Sequence, residues 1–328
     1  MNVRPWVWAL LLLPAHAFAA ETDQYLSWGV ELKDSSAAIN RFLNSEVQAY
    51  LEKVSARETK PRTREELVNN LYLYLFRGIH SSRLRNWLHH SSEVERYPDR
   101  SVPWFRYQQE SVYWAPSFPY ILPMSRTIRV GDVYCGIDKF SHFFGFGRRF
   151  FLHYHRLRAQ GLEHEAAMER MIRAGIAWEN GVVGKLVDGI FSHADLEAVF
   201  QGFRLAYDLC DEGKAYLARD GEEWTLARPI NILEYVTPDF DESYNPCHYW
   251  ALRKRFALPL LKEKYGPRIK DPAVQARFAR YREYTPSFSK RTIEKYFDAK
   301  GKNPQKEQYY AAFGVPPGCG SEVLASAP

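Results

Sequence analysis

In the stretch SSAAINRFLNSEVQAYLEKVSA, apolar side chains return at Ile39, Phe42, Leu43, Val47, Tyr50, Leu51 and Val54. That spacing places them on one face of a helix. Thr63 and Glu66 then stand three apart ahead of Leu67, Leu71 and Leu75, a capping-box pattern that opens a second amphipathic helix. The same periodicity resumes beyond residue 138 and predicts helices over 139–158, 163–179, 194–210, 246–265, 272–282 and 290–299. Asn245-Pro246 and Asp271-Pro272 give two of these a cap-plus-proline start. Between residues 97 and 132 the periodicity fails, because Pro98, Pro103, Pro116, Pro119 and Pro123 interrupt a run crowded with Trp, Tyr and Phe. Proline lacks an amide donor and its predecessor avoids helical geometry, so this segment reads as a long aromatic loop with room for short strands. A loop of that length is uncommon unless it builds or covers a site. The pattern as a whole predicts a mainly α, multi-helix single domain with one long aromatic, proline-rich loop.

The two ends read differently from the middle. MNVRPWVWALLLLPAHAFAA opens with Arg4, continues through an apolar run from Trp6 to Leu13, and ends with small residues at Ala17 and Ala19. This is the layout of a signal peptide over residues 1–20. Its apolar run is shorter than the about 20 residues that a membrane-spanning helix needs. The mature chain is expected to be exported across the inner membrane into the periplasm, with a helical domain over residues 21–300 and no transmembrane segment. No cysteine at the cleavage site marks a lipoprotein. Residues 301–328, ending PPGCGSEVLASAP, hold little to bury and are expected to form a loosely ordered tail.

A net charge of +5 is too mild to indicate nucleic acid, and no nucleic-acid recognition motif is present. Aromatic residues make up 15% of the chain, enough for a substantial core. Cys135, Cys210, Cys247 and Cys319 could pair in an oxidising compartment, and their spacing selects no connectivity. They lack the CxxC element of a zinc ribbon.

The chemistry gathers around DKFSHFFGFGRR, residues 138–149. In a helix starting there, Asp138 can cap, while Asp138, Lys139 and His142 lie within one turn of each other. The next helix presents Met168, Ile172, Gly175 and Ile176 on its apolar face, and the same period brings Glu179 onto that face at the last turn. A carboxylate there is desolvated and near the negative end of the helix dipole, so Lys139, Arg148 or a metal ion is expected to compensate it. Gly181 is placed to take the left-handed turn that ends this helix. In GIFSHADLEAVFQGF, Ser192 and Asp195 open the following helix as a variant capping box, with His193 beside them as an unconstrained, exposed imidazole.

The order D-K-x-x-H-F, an isolated Glu, then S-x-x-D-L-x-A-x-x-x-G resembles the signature of the VanZ-like family and of a related family of predicted periplasmic lipoproteins. Asp138, Lys139, His142, Phe143, Glu179, Ser192, Asp195, Leu196, Ala198 and Gly202 carry it, within about 65 residues. Val199 stands where those families usually show Asn, and VanZ-like proteins are membrane-embedded whereas this chain is not expected to be. The resemblance implies a comparable helical constellation and an envelope setting, and supplies no reaction.

Two readings of the cluster follow. In the first, His142, Glu179 and Asp195 converge for hydrolysis of an envelope component, with or without a divalent metal ion that these three would ligate. Glu179 moves the proton and Lys139 steadies negative charge. A glycan-cleaving version pairs Glu179 with Asp195 as two working carboxylates. In the second, the same residues form a buried polar clasp between helices in a non-catalytic protein that binds peptidoglycan, lipid or another envelope protein. A third candidate is a Cys135 nucleophile with a distant base such as His193. Arg148, Arg149, Arg156 and Arg158, with His153 and His155, form a basic run that would suit phosphate or carboxylate if it faced a cleft. DFDESYNPCHYW, residues 239–250, is rich in acids but lacks an EF-hand register and reads as a capped loop.

Overall fold

The computed structural model describes residues 20–78, 82–114, 123–181, 184–185 and 189–317. The expected signal peptide, apart from Ala20, and Cys319 lie outside them. The chain is mainly α, and among the described residues no helix is long and apolar enough to cross a membrane.

Helix α1 (Ser36–Ser55) buries Ile39, Leu43, Val47, Tyr50, Leu51 and Val54, and α2 (Arg64–Leu75) buries Leu67, Leu71 and Leu75. Thr63 accepts from the Glu66 amide at 3.1 Å. The Glu66 carboxylate reaches the Arg62 amide instead of closing the box on Thr63. Helix α3 (Arg83–His90) follows.

Residues 115–122 of the long loop lie outside the described residues; the rest carries the short strand that its reading allowed. It contains the short helix α4 (Trp104–Gln108), and its end becomes β1 (Thr127–Val130), paired antiparallel with β2 (Val133–Gly136). Val112, Tyr113 and Met124 are buried in the core. Tyr107 and Tyr113 thus build part of the interior here, while Phe105 is 52% exposed.

Helix α5 (Lys139–Ser141) runs through a π-helical segment, His142–Phe146, into α6 (Gly147–Ala159), and α7 (His164–Glu179) returns. Helix α8 (His193–Cys210) is buried on nearly every side, as expected of a helix at the centre of a bundle. It packs against α2, α6, α7, the π segment and a later helix, Phe288–Asp298. Two glycines allow the closest of these approaches. A Cβ on Gly202 would lie 1.9 Å from the carbonyl oxygen of Phe143, and one on Gly147 would lie 2.9 Å from the backbone of Gly202.

Beyond α8 the hairpin β4 (Leu217–Asp220) and β5 (Glu223–Leu226) leads to α9 (Ala251–Leu260), α10 (Pro272–Tyr281), α11 (Phe288–Asp298) and α12 (Pro304–Phe313). Two expectations change here. Asn245-Pro246 starts no helix: His248–Tyr249 forms β6, paired with β3 (Ile190–Phe191), and α9 begins only at Ala251. The Asn245 side chain is used instead to join Asp239, Lys290 and Gln305. The expected loose tail includes α12, whose Tyr309 and Phe313 are buried. Phe313 lies against Tyr25 and Trp28 from the other end of the chain, a contact that no local composition reveals.

Candidate functional site: a lysine held by three carboxylates

Lys139 is fully buried. Its Nζ lies 2.8 Å from Asp138 Oδ2, 2.6 Å from Asp195 Oδ1 and 2.5 Å from Glu242 Oε1. These groups come from three parts of the fold: the turn leading from β2 into α5, the first turn of α8, and the loop before β6. Two further segments close around them. The Thr22 hydroxyl donates to Asp138 Oδ1, and the Tyr113 hydroxyl donates to Glu242 Oε2. Gly136 makes room, since a Cβ there would meet Asp138 Oδ1 and the Thr22 hydroxyl.

His142 lies at the edge of this network. Its Nε2 is 3.5 Å from Asp195 Oδ2, and its side chain keeps 14% exposure where the carboxylates keep 3–6%. The ring stacks on Phe146. Asp195 thus turns one oxygen to the buried ammonium and the other to the one cluster member that solvent reaches.

Three acids around one ammonium do not share its charge equally. Burial favours neutral Lys139, but Asp138, Asp195 and Glu242 outweigh it and hold its pKa well above the ordinary value. For Asp195, burial acts upward, yet His142, Lys139 and the Ser192 hydroxyl together bring it below the usual carboxylate range. Burial lifts Glu242 to about 7, assisted by the charges of Asp195 and Asp138 and opposed by Lys139. Glu242 therefore takes up a proton as the pH falls through about 7, which relieves part of the excess negative charge.

Of the residues singled out in the sequence, Asp138, Lys139, His142, Ser192 and Asp195 do converge. Ser192 caps α8 as expected, accepting from the Asp195 amide at 3.0 Å, and its hydroxyl also donates to Glu242 at 3.3 Å. Asp138 is no side-chain cap: its backbone is already helical and its carboxylate is committed to Lys139 and Thr22.

Glu179 is buried on the apolar face of α7, as its period requires. It belongs to neither group of side chains close enough to share an ion. The carboxylate and imidazole atoms that lie mutually within 4.8 Å belong to Asp138, His142 and Asp195, and in a second group to Glu21, Asp138 and Glu242. The expected ligand trio of His142, Glu179 and Asp195 is therefore not assembled. Glu179 Oε2 instead faces Gly184, where a Cβ would lie 2.7 Å from it. Gly181 does not take the left-handed turn that would end α7; the positive φ nearby, +71°, is at Gly189, directly before β3.

His193, expected to be exposed, is 2% exposed. It packs on Phe191 and Phe297 beside His248, because the first residue of a central helix points into the core. Burial, with Lys290 and His248 adding to it, holds its pKa well below the ordinary value. Arg148 donates to Asn69, and exposed Arg149 lies over the rings of Phe146 and Trp178. Neither arginine enters the cluster. Cys135, Cys210 and Cys247 are free thiols. Burial first, and then Asp138 and Asp241, push the Cys135 thiol well above its ordinary pKa, the opposite of an activated nucleophile.

Glu242, Tyr113 and Thr22 are the members that sequence reasoning did not assign. Glu242 lies in the acidic run 239–242, and what set it apart from Asp239 and Asp241 is its distant partner alone: Asp241 turns to Ser243 and Tyr281, and Asp239 to Lys290. Tyr113 and Thr22 carry no signal in their surrounding residues. A scan against family models and searches of curated proteins and of solved structures find no match to this chain.

Proposed function

We propose that this chain is an exported cell-envelope protein in which His142 and Asp195 perform acid–base chemistry, hydrolysing a peptidoglycan or lipid-linked envelope component. The observation that carries this reading is the division of Asp195 between a buried ammonium and an imidazole at the solvent edge. An imidazole positioned by an ionised carboxylate can take a proton from an attacking water and return it to the leaving group, while the carboxylate stabilises the imidazolium. Lys139 then acts as the support that keeps Asp195 ionised and oriented. The envelope setting rests on the signal-like first twenty residues and on the VanZ-like order of motifs.

The metal-free form is favoured over the metal-assisted one. Asp138, His142 and Asp195 are close enough to share an ion, but two of them already hold an ammonium that their own charge keeps protonated. A divalent ion would have to share those carboxylates with a like charge at short range. Turnover is accordingly expected to survive chelation with EDTA; abolition that is restored by a divalent ion would return the metal to the site.

The deciding experiment incubates the purified chain with sacculi and with lipid-linked glycan, following released products by chromatography. His142→Ala should lower release by on the order of 100-fold or more with little change in melting temperature. A second reading has its own observation: Lys139 is sealed and joins five separated segments, which suits a clasp whose role is packing. Absence of release from every envelope substrate, or equal release by His142→Ala, would leave the clasp as the function of the cluster.

A further inference from the structure

A second charged assembly lies on the other side of Asp138, and the chemistry proposed above does not use it. Arg85 and His89 are four residues apart on α3 and so share one face. Helix α3 packs on α5, the segment Lys139–Ser141. Arg126 is tied to the same place, since its carbonyl oxygen accepts from the Ile137 amide at 2.9 Å. Arg96 precedes Tyr97, which pairs across an antiparallel bridge with Thr127, next to Arg126. Arg96 and Arg100 donate to the carbonyls of Ser91 and His90 at the C-terminal end of α3.

The acids nearest this group are Asp138, whose charge acts on Arg85 but which Lys139 and Thr22 already hold, and Asp99 beside Arg96. Among the described residues, none of Arg85, Arg96, Arg100 and Arg126 is ion-paired to a carboxylate. The Arg126 guanidinium is held by the backbone carbonyls of Pro98, Arg100 and Val102. Arg96, 7% exposed, has a buried Nε with no hydrogen-bond partner among the described residues, and so does Nε2 of His89. Arg85 is half-buried and makes no hydrogen bond to any described residue. The local positive potential is visible on His89: burial first, and then Arg85, Arg126, His90 and Arg96, push it down to about 3.

An ordinary solvated basic face does not account for this arrangement. Such faces keep their charged heads in water, whereas here guanidinium and imidazole nitrogens are desolvated with no carboxylate in ion-pair contact among the described residues. Backbone carbonyls explain the fixed positions of Arg96, Arg100 and Arg126. They leave the Arg96 Nε and the His89 Nε2 without a hydrogen-bond partner among the described residues, and Arg85 with only the charge of Asp138, which Lys139 already engages.

We infer that Arg85 and His89 of α3, with Arg96 and Arg126 beside them, form a binding site for a phosphate group. Phosphate suits the site better than a carboxylate does. It carries nearly two negative charges and three acceptor oxygens, against several fixed guanidiniums and an imidazole. A singly charged carboxylate would leave most of that charge and most of those donors unmatched. The phosphate could arrive free, on a soluble ester, or on a phospholipid headgroup, and the chemistry of recognition is the same.

The test is titration of the purified chain with inorganic phosphate by calorimetry, alongside co-sedimentation with phosphatidylcholine vesicles lacking or containing phosphatidic acid. Saturable phosphate binding is expected, weakened about tenfold or more in Arg85→Met and in His89→Asn and retained in Arg149→Met. Arg85 makes no hydrogen bond within the described chain, so its loss should leave the fold intact. Sedimentation only with phosphatidic acid, lost in Arg85→Met, assigns a lipid headgroup. Phosphate binding without vesicle binding assigns a soluble phosphate. Absence of both, or equal weakening by Arg85→Met and Arg149→Met, overturns the site. No turnover is measured, so failure here leaves the His142–Asp195 proposal standing, and failure of that proposal leaves this one standing.

Discussion

Lys139 carries one positive charge into a volume that three carboxylates also occupy, and the consequences are asymmetric. Removing the ammonium leaves Asp138 and Asp195 buried without their cation, and breaking a buried pair from one side costs about 3–5 kcal/mol. Lys139→Met is therefore expected to unfold the protein or depress its melting temperature severely. Glu242→Gln should cost far less at neutral pH, within about 1 kcal/mol, because burial already raises that carboxyl to about 7 and the amide resembles its protonated form. Calorimetric melting of the two variants side by side checks the order. If Glu242→Gln proved the more damaging, the assignment of the proton to Glu242 would be wrong. Lys139, His142 and Asp195 could be singled out from their sequence positions. Glu242 could not, because three acids in one short run differ only in what the rest of the chain brings to them.

Among the elements, the crossing of α8 with the π segment and α6 sets the site. Asp195 lies two turns ahead of Gly202 on α8, and Lys139 and His142 lie ahead of Gly147 on the facing helix. The backbone contact at Gly147 and Gly202 therefore fixes how far apart those side chains sit. Gly202→Ala would place a methyl group against the Phe143 carbonyl. Overpacking of this kind costs about 1–3 kcal/mol and occasionally more, and here it should also separate Asp195 from His142. The expected outcome is a fall in melting temperature and, on the hydrolase proposal, a larger loss of product release than of folded protein. Helix α12 gives a second test. Truncation after Lys300 would remove Tyr309, Phe313 and Val315, buried groups each contributing roughly 1.5–3 kcal/mol, so the shortened chain should be markedly destabilised in a denaturant titration. The helices 139–158, 163–179, 194–210, 272–282 and 290–299 were legible to within a few residues because each buries one periodic face. The helix expected from Asn245-Pro246 was not, because the pairing of His248–Tyr249 with Ile190–Phe191 overrides a local start signal.

For the molecule as a whole, buried acids and buried imidazoles oppose one another in pH dependence. Burial raises Glu197 and Glu242 to about 7 and Asp23 to about 6. The folded state therefore binds protons that the unfolded state lacks, and stability from these groups is lost as pH rises through their folded pKa values. Burial lowers His89 to about 3, His248 to about 4, and His193 well below its ordinary value. Their contribution is lost as pH falls through the unfolded histidine range. His153 and His155 act weakly in the same direction. Stability should thus rise as pH falls from 8 to about 6.5, at roughly 1.4 kcal/mol per pH unit for each proton of difference. It should stay nearly level down to about 4.5, where the two sets cancel, and then drop as the unfolded acids protonate and Asp195 loses its charge. Melting temperatures across pH 3–8 would show this plateau; a maximum above pH 7.5 would contradict it.

By itself the chain determined what depends on neighbours within a few turns: the mainly α character, the capping of α8 by Ser192, the burial of Glu179, and the grouping of Asp138, Lys139 and His142 around one turn. Periodicity and capping are local physics, so they survive in any fold that buries those faces. Tertiary structure decided which acids meet the ammonium. It turned Asp138 from cap to counterion, kept Glu179 out of the His142–Asp195 ligand group, and brought in Tyr113 from the long loop and Thr22 and Glu242 from more than a hundred residues away. It also packed α12 onto the beginning of the chain. A buried charge is stabilised by whatever lies within a few ångströms, and that neighbourhood exists only once the backbones of α5, α6 and α8 have crossed.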